Sequence, residues 1–319
     1  MKAVVFGSVL RPDVKDAFAD FPQVQPVFVE NNDEAALARE MPGAEIFVVS
    51  NRVYSAGVGK AVREQGTALK WIQFTTAGFD NAIKAGFPPG LIVTNCGGVR
   101  SASVAEQAFV LLLSLVRQVR AIEKACTDHR WIRDAISPSV HNLNGKRMLV
   151  VGMGPVGQAI ARRAIAFDMK VAAVSRAEEP APPFEKVYPR ARFVEACREA
   201  DVVVLATALD DELKQIIDRE SLAAMPKGAY LINIARGAMV DEAALVEALT
   251  SGHLGGAGLD VTAAEPTPAD CPLWDLPNVV LSPHIGGAGD PSEISVGAVI
   301  AQNLRVYLSG KAFPRATRT

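Results

Sequence analysis

Three polar side chains in the C-terminal half follow short apolar runs and have complementary chemistry. Arg236 follows LINIA, Glu265 follows GLDVTAA and His284 follows VVLSP. A guanidinium binds a carboxylate through a two-pronged, charge-assisted pair, and an imidazole exchanges a proton near neutral pH. A glutamate next to the histidine orients its ring and favours the charged form. Together these residue types indicate a site that binds a carboxylate and moves a proton.

A glycine-rich turn precedes these three residues in the chain. It lies between the apolar run RMLVV and the helical pattern QAIARRAIAF, and a second apolar run, MKVAAV, follows. The turn consists of Gly152, Met153, Gly154, Pro155, Val156 and Gly157. The first glycine permits a tight turn, the second lets the backbone approach a pyrophosphate, and the third lets helix and strand pack closely. Pro155 suits the first helical turn. The order of strand, glycines, helix and strand predicts a dinucleotide site with the anion at the helix N-terminus.

The end of the second strand bears on the choice of dinucleotide. An acidic residue at this position accepts hydrogen bonds from the adenosine ribose and repels a 2'-phosphate. The chain has Ser175 and Arg176 there instead. A guanidinium and a hydroxyl bind a phosphate, so we expect NADP, with NAD as the alternative.

The elements that must hold these residues are two series of α/β units. Strand-like runs KAVVF, VQPVFVE, EIFVVS, LKWIQF and LIVTN alternate with helical patterns in the first series. A second series of nearly all-apolar runs begins at KRMLVVGMG and ends at NVVLSPH. This alternation predicts parallel sheets covered by helices on both faces. The pattern over 101–125 predicts one long buried helix that joins two domains. The pattern from Pro291 to about Leu308 predicts a second helix, and the composition of RAEEPAPPFE predicts a surface loop.

The composition of the chain limits the classes of protein to which it can belong. The chain has 319 residues, of which 49% are hydrophobic and 21% charged, so two domains are expected. A net charge of −2 offers no positive field for nucleic acid or an anionic membrane. The longest apolar run, AFVLLLSLV, is too short to span a bilayer. The start MKAVVFGS is typical of a β-strand rather than a signal peptide, so a cytoplasmic location is the expectation.

The thiols and imidazoles do not suggest a metal or a disulfide framework. The four cysteines, at 96, 126, 197 and 271, have no paired spacing, and the four histidines form no HxxxH or HxH motif. Metal-free catalysis is the expectation.

The ordered segments resemble the D-isomer-specific 2-hydroxyacid dehydrogenases over nearly the whole chain. LINIARGAMVDEAALVEAL, GAGLDVTAAEP and LSPHIGGA are similar to the three signature regions of that family in order and spacing. TTAGFDN at 75–81 and NCGGVRSASVAE at 95–106 resemble its substrate loop and interdomain segment. The resemblance implies hydride transfer between a nicotinamide cofactor and a small 2-hydroxy or 2-keto acid.

The same resemblance implies a role for each site residue. Arg236 is expected to bind and polarise the 2-keto acid, His284 to be the acid/base, and Glu265 to pair with His284. The backbone of Ala77 and Gly78 is expected to contact the substrate carboxylate. Besides the glycine-rich turn, Ser175 and Arg176, the expected cofactor contacts are Thr207, Ile234, Ala235, Asp260 and Gly286.

The family's architecture is implied as well. It consists of two doubly wound parallel-sheet α/β domains, a Rossmann cofactor domain inserted in a flavodoxin-like substrate domain. The expected ranges are 1–100 with 288–319 for the substrate domain and 101–287 for the cofactor domain. A homodimer formed through the cofactor domain is also implied, with the ligand between the domains.

Some residues depart from the family or have an open role. Pro155 stands where many members have Arg or Asn, Ser175 replaces the usual Asp, and Asp210-Asp211 replaces a common Thr-Pro. Arg52 aligns with the region where some relatives contact the distal end of the substrate, and it is equally compatible with a surface arginine. Trp274 either reaches a neighbouring active site or fills the edge of a core.

Competing functions are separated by the same residues. Formate dehydrogenases have this architecture with Gln in place of Glu265, which argues against that activity. Corepressor scaffolds of the same fold keep the three polar residues and sense nucleotides, and the NADP-like loop disfavours this alternative. Glyoxylate and hydroxypyruvate are the expected keto acids, and larger keto acids such as phenylpyruvate are alternative substrates. Arg52 is also compatible with a second function, that of an NAD-dependent phosphoglycerate dehydrogenase.

Overall fold

A computed structural model describes residues 1–7, 12–30, 32–176, 182–289 and 295–313, and the backbone of 317–318. The chain divides into two compact units, Met1–Val99 with Asp290–Thr319, and Arg100–Gly289. The second unit is thus an insertion in the first. The assignment of the first unit to the substrate stays a prediction at this point.

The first unit begins with alternating strands and helices. The strands are β1 (Lys2–Phe6), β2 (Gln25–Val29), β3 (Ala44–Val49), β4 (Trp71–Phe74) and β5 (Ile92–Thr94). The helices are α1 (Pro12–Asp16), α2 (Glu34–Glu40), α3 (Ala56–Gln65) and α4 (Asp80–Ala85), with a 3₁₀ turn at Asn51–Val53. The five strands are parallel in the order β5-β4-β3-β1-β2, the flavodoxin-like order.

The second unit is larger and opens with helices. Its helices are α5 (Ser101–Val116), α6 (Val119–Thr127), α7 (Arg133–Ile136), α8 (Pro155–Ala166), α9 (Phe193–Arg198), α10 (Arg219–Ala224) and α11 (Glu242–Thr250). Its strands are β6 (Arg147–Val151), β7 (Lys170–Val174), β8 (Lys186–Tyr188), β9 (Val202–Leu205), β10 (Tyr230–Asn233), β11 (Gly256–Leu259) and β12 (Val279–Leu281). Short 3₁₀ turns occupy Ser137–Ser139, Arg190–Arg192, Asp211–Leu213, Gly237–Met239 and Pro272–Trp274.

The sheet of the second unit is wholly parallel. Its order is β12-β11-β10-β9-β6-β7-β8, so the direction of winding reverses between β6 and β9. Two apolar clusters pack against it, one containing Leu231 and Leu259 and the other Val150 and Ile232, so both faces are buried. Open α/β sheets bind ligands at the carboxyl ends of the strands beside such a reversal.

The chain then returns to the first unit. It forms α12 (Val296–Leu308) and the two-residue strand β13 (Thr317–Arg318), whose backbone pairs antiparallel with β5. Ile300 and Leu304 of α12 are fully buried in the core of the first unit with Val14 and Trp71. The predicted doubly wound parallel sheets are therefore confirmed, apart from this antiparallel edge. Residues 291–294 of the predicted C-terminal helix lie outside the described residues.

The prediction of a single long helix over 101–125 is wrong. The helix ends at Val116, Gln118 has a left-handed φ of +57°, and α6 begins at Val119. The two axes differ by 67°. Only Ala125 of α6 is buried, whereas α5 buries seven of its side chains. No single described helix has the length and apolarity to cross a membrane, although α5 and α6 pass that test as a bent pair.

The predicted surface loop over 176–185 is followed by a strand that the sequence analysis did not predict. Ser175 and Arg176 follow β7, residues 177–181 are outside the described range, and β8 begins at Lys186. A three-residue edge strand is too short to give an alternation that can be recognised in the sequence.

Candidate active site

The glycine-rich turn connects β6 to α8. Gly152 has a φ of +110°, which an L side chain rarely adopts, and its N–H donates to the carbonyl of Val174 over 2.9 Å. A Cβ on Gly152 would lie 2.7 Å from the Cβ of Thr207 and 2.9 Å from the carbonyl oxygen of Ala206. Both the conformation and the contact with the loop after β9 therefore require glycine.

The other two glycines meet different requirements. Gly154 is the N-cap of α8, and a Cβ there would have nothing within 4 Å, so the space before the helix is open. Pro155 occupies the first turn of α8. A Cβ on Gly157 would lie 1.9 Å from the carbonyl oxygen of Gly152, so this glycine lets the helix pack onto the turn. An open N-terminus of a helix after a tight turn fits a pyrophosphate.

Ser175 and Arg176 lie at the carboxyl end of β7, next to this turn in the sheet. The N–H of Ser175 donates to the carbonyl of Tyr188 over 3.1 Å, which fixes the backbone where the chain leaves the strand. Ser175 is half-buried and Arg176 is exposed. Within the described residues, the end of β7 therefore has a cationic side chain where a carboxylate favours NAD.

Arg236 lies in the turn after β10, which Asn233 shapes. Asn233 is fully buried; its amide nitrogen donates to the carbonyl of Arg236 over 2.9 Å, and its oxygen accepts from the N–H of Ala235 over 3.0 Å. The Arg236 guanidinium, which is half-buried, donates to the carbonyl of Ala235. Ile234 and Ala235 lie in the same turn. Asn233 was missed by the sequence reasoning, although a polar residue at the end of an apolar strand was a signal for it.

Gly237 brings this turn against the loop that carries Glu265. A Cβ on Gly237 would lie 1.9 Å from the backbone carbon and oxygen of Thr262 and 2.4 Å from the nitrogen of Ala263. Thr262 also donates its hydroxyl to the carbonyl of Ala264 over 2.9 Å, which shapes the loop. The Arg236 turn and the Glu265 loop thus touch backbone to backbone.

Glu265 and His284 are in direct contact, as the sequence predicted. The Nδ1 atom of His284 lies 2.7 Å from Oε2 of Glu265, and the two side chains are 47% and 40% exposed. An ionised carboxylate only accepts hydrogen bonds, so Nδ1 carries the hydrogen and Nε2 is left for the ligand. His284 has a φ of +52°, an uncommon conformation for histidine that is often found at functional sites.

Asp260 holds the loop that carries His284. Its carboxylate is 2% exposed; Oδ1 accepts from the Ser282 hydroxyl at 2.6 Å and the Ile285 N–H at 3.0 Å, and Oδ2 accepts from the Gly286 N–H at 2.8 Å. The Gln107 amide donates to the Ser282 hydroxyl over 2.8 Å. Asp260 and Gly286, predicted as cofactor contacts, are therefore also structural partners. The contributions of Ser282 and Gln107 were missed, because they are 175 positions apart in the chain.

The predicted substrate loop of the first unit is held by side-chain hydrogen bonds of its own. The Asn95 amide donates to the carbonyl of Ala77 over 2.8 Å, and the Thr76 hydroxyl donates to the carbonyl of Gly78 over 2.8 Å. Arg52 is exposed in the 3₁₀ turn after β3, whose Asn51 N–H donates to the Thr76 hydroxyl over 3.2 Å. Arg52, Ala77 and Gly78 thus lie at the same edge of that sheet.

Trp274 has a hydrogen bond of its own at the end of the Glu265 loop. The Trp274 indole donates to the carbonyl of Pro268 over 2.9 Å, and its side chain is 44% exposed. In the part of the chain that the structure describes, no group of three or more His, Cys, Asp or Glu side chains could hold a metal ion.

The fold and the glycine-rich turn define a dinucleotide-binding protein with a Rossmann sheet. The model of the "D-isomer specific 2-hydroxyacid dehydrogenase, NAD binding domain" matches residues 109–286, more than half of the chain. The chain belongs to the D-isomer-specific 2-hydroxyacid dehydrogenase family, which confirms the resemblance seen in the sequence. A nicotinamide cofactor is therefore indicated for the glycine-rich turn.

Individual relatives differ in length and in the names of their activities. The chain is 32% identical to the D-3-phosphoglycerate dehydrogenase of Mycobacterium tuberculosis over 317 residues, 99% of this chain and 58% of that one. It is 34% identical to the glyoxylate reductase of Pyrococcus horikoshii over 290 residues, 88% and 86% of the two chains. A D-isomer-specific 2-hydroxyacid dehydrogenase from Xanthobacter autotrophicus, solved with NADPH and MES, superposes with a TM-score of 0.80 at 25% identity, covering 99% and 97% of the chains. The chain spans little more than half the length of the phosphoglycerate dehydrogenases that it matches.

Proposed function

We propose that the protein is a reductase of small 2-keto acids that forms D-2-hydroxy acids with NADPH. The observation that carries the proposal is the 2.7 Å contact between His284 and Glu265 in the same unit as the glycine-rich turn. A dinucleotide turn alone fits many reactions. A histidine whose Nδ1 is bound by a carboxylate adds a proton donor at Nε2, which carbonyl reduction requires.

Arg236 binds the keto acid in this proposal. Its guanidinium pairs with the substrate carboxylate and stabilises the charge that develops on the carbonyl oxygen. Asn233 fixes the carbonyl of Arg236 at 2.9 Å, so the backbone of the turn is set before the substrate binds. Family resemblance alone implies that backbone groups of Ala77 and Gly78 also bind the substrate carboxylate.

His284 moves the proton. During reduction its Nε2 donates to the carbonyl oxygen, and during oxidation it accepts the hydroxyl proton. Glu265 balances the positive charge of the doubly protonated ring and holds its orientation through Nδ1. Glu265 also disfavours formate oxidation as the activity, since that reaction needs no proton exchange with the histidine.

The nicotinamide cofactor, when bound, supplies or accepts the hydride. Gly154 and the start of α8, with Val156, would receive its pyrophosphate. The loops proposed to contact the cofactor contain Met153, Thr207, Ile234, Ala235, Asp260 and Gly286. Arg176 and Ser175 bind the 2'-phosphate in this proposal, which favours NADPH over NADH. The relative from Xanthobacter autotrophicus was solved with NADPH, which supports the proposal.

Glyoxylate or hydroxypyruvate is the proposed substrate. The glyoxylate reductase of Pyrococcus horikoshii supports this choice, because the similarity covers most of both chains. Phosphoglycerate oxidation is the second candidate, favoured by the 32% identity to a phosphoglycerate dehydrogenase and by the exposed Arg52, which could bind a phosphate.

A second copy of the chain is the proposed partner. Apolar side chains are exposed in the second unit: Trp131 is 92% exposed, Val110 54%, and Val119 and Ile122 42% each. These residues lie within 22 positions of the chain, and α6 buries only Ala125. Exposed apolar clusters mark association surfaces, so we expect a homodimer through the second unit.

A panel of 2-keto acids assayed with NADPH and NADH tests the proposal. Consumption of NADPH with glyoxylate or hydroxypyruvate, and little with 3-phosphohydroxypyruvate, is the expected result. Turnover of 3-phosphohydroxypyruvate alone would establish the second candidate. Binding of the cofactor without turnover of any keto acid would indicate a nucleotide-sensing scaffold.

A further inference from the structure

The loop after β9 takes part in an ion-pair cluster that includes Asp210, one of the residues at which the sequence departs from its family. Arg190, in the 3₁₀ turn after β8, donates to a carboxylate oxygen of Asp210 at 2.7 Å and to one of Glu212 at 2.6 Å. The Arg190 side chain is 19% exposed, whereas Glu212 is 75% exposed. Asp210 also accepts from the N–H of Leu213 over 3.1 Å, which fixes its own loop. We refer to Arg190, Asp210 and Glu212 as the Arg190 clamp.

The order of strands shows what the Arg190 clamp spans. β8 and β9 are not neighbours, because β6 and β7 lie between them. Three strand spacings amount to about 14 Å, so the loops after β8 and β9 must reach toward each other across the carboxyl ends of β6 and β7. Those two ends carry the glycine-rich turn and Ser175-Arg176. The Arg190 clamp therefore closes the side of the sheet where the adenosine half of a dinucleotide binds.

Contacts on both sides tie the Arg190 clamp to this region. Tyr188, two residues before Arg190, accepts the N–H of Ser175 over 3.1 Å. Thr207, three residues before Asp210, packs against Gly152, where a Cβ would approach it to 2.7 Å. A change in either loop is thus transmitted to the backbone that holds the predicted ribose and pyrophosphate contacts.

We propose that Arg190 is a specificity-determining residue for the cofactor. It holds the outer wall of the adenosine site and offsets one of the two negative charges of Asp210 and Glu212, which repel a 2'-phosphate bound at Ser175 and Arg176. This inference rests on the proposed preference for NADPH. It adds a second contribution to that preference, because Arg176 attracts the phosphate while Arg190 reduces a repulsion.

The size of the effect follows from the spacing of the strands. β7 and β9 are two strand spacings apart, about 10 Å, and this is close to the Debye length at about 0.1 M salt. At that distance one unit of charge changes the affinity for a phosphate dianion about threefold, and NADH, which has no such phosphate, is affected less. Lower salt enlarges the difference.

Dissociation constants of NADPH and NADH, measured by calorimetry at fixed salt, test the inference. Arg190→Gln leaves two carboxylates unbalanced and is expected to weaken NADPH about threefold relative to NADH. Asp210→Asn with Glu212→Gln leaves the positive charge of Arg190 unbalanced. This double carboxamide variant is expected to change the ratio of the two dissociation constants in the opposite direction, so that NADPH binds more tightly relative to NADH. The triple variant, which removes all three charges, is expected to have a ratio between those of the wild type and of the double carboxamide variant, and Arg190→Lys is expected to have a ratio close to that of the wild type. The ratios converge as the salt concentration rises.

A structural role alone predicts a different pattern. If Arg190→Gln weakens NADPH and NADH equally, or if the carboxamide variant leaves the ratio unchanged, the inference is wrong. Asp210→Asn with Glu212→Gln retains Arg190 and provides the test where Arg190→Gln does not fold. A wild type that prefers NADH would contradict the proposed cofactor. In that case the direction in which the variants change the ratio of the NADPH and NADH dissociation constants still tests the role of Arg190.

Discussion

Replacement of Gly237 by alanine is expected to separate the two halves of the proposed catalytic site. The new Cβ would lie 1.9 Å from the backbone of Thr262, whereas ordinary van der Waals contact begins at 3.4 Å. Neither neighbour is a flexible side chain, so one loop must move by about 1.5 Å, the difference between these two distances. Arg236 lies on one of these loops and Glu265 on the other. Gly237→Ala therefore changes the distance between Arg236 and Glu265.

The expected magnitude follows from that displacement. A misplacement of about 1 Å costs about 100-fold in rate, so kcat/KM for the keto acid is expected to fall at least about 100-fold. Forcing a methyl group into a packed contact also costs about 1–3 kcal/mol of stability, so the melting temperature should fall by several degrees. The dissociation constant of NADPH should change less than kcat/KM, because the glycine-rich turn is not involved in this contact and only Ile234 and Ala235 of the proposed cofactor contacts lie in the Arg236 turn.

The assay is steady-state reduction with NADPH, combined with calorimetric binding of NADPH and a melting curve. Gly57→Ala is a matched control, because the three atoms nearest to its Cβ belong to the carboxylate of Glu34, a side chain that can rotate away. It should keep full activity. A folded Gly237→Ala variant with kcat/KM within threefold of the wild type would refute the argument that this contact sets the position of Arg236.

Three further predictions concern single side chains. Arg236→Lys keeps the charge but loses the planar fork, so kcat/KM should fall at least about 100-fold, and near-normal kinetics in a folded variant would remove Arg236 from the mechanism. Glu265→Gln no longer balances the positive charge that His284 carries as proton donor, so kcat/KM for keto-acid reduction should fall, and unchanged kinetics in a folded variant would contradict the pairing. Burial raises the pKa of the Cys197 thiol to about 12, so at pH 8.5 it is almost entirely protonated and should resist iodoacetamide until the protein unfolds, whereas the exposed Cys126 reacts. Mass spectrometry of the labelled native protein checks this, and labelling of Cys197 under native conditions would show that its surroundings open.

The parts of the fold that were predictable are those encoded locally. Most strands of the second unit are apolar on both faces, and glycine or a polar residue directly follows β6, β7, β11 and β12, so most strand positions could be seen in the sequence. The turn from Gly152 to Gly157 was readable because its requirements are met within six residues. The break at Gln118 was not predictable, since neither glycine nor proline marks it and the apolar pattern continues beyond it.

The site was predictable to a similar degree and for similar reasons. Polar residues at strand ends gave Arg236, Glu265 and His284, because parallel strands bring their carboxyl ends to one edge. The supporting contacts were not readable. Gln107 reaches Ser282 only through tertiary packing, and the need for glycine at 237 exists only because the backbone of Thr262 lies against it. Such requirements depend on neighbours that are distant in the chain.

Reduction of hydroxypyruvate with NADPH deuterated at the transferable C4 position tests the central claim most directly. The account predicts consumption of one NADPH for each glycerate formed, deuterium at C2 of the product, the D enantiomer alone, and loss of the reaction in His284→Ala with NADPH binding retained. Absence of deuterium from C2, formation of L-glycerate, or a fully active His284→Ala variant would contradict the proposed hydride transfer with His284 as the proton donor.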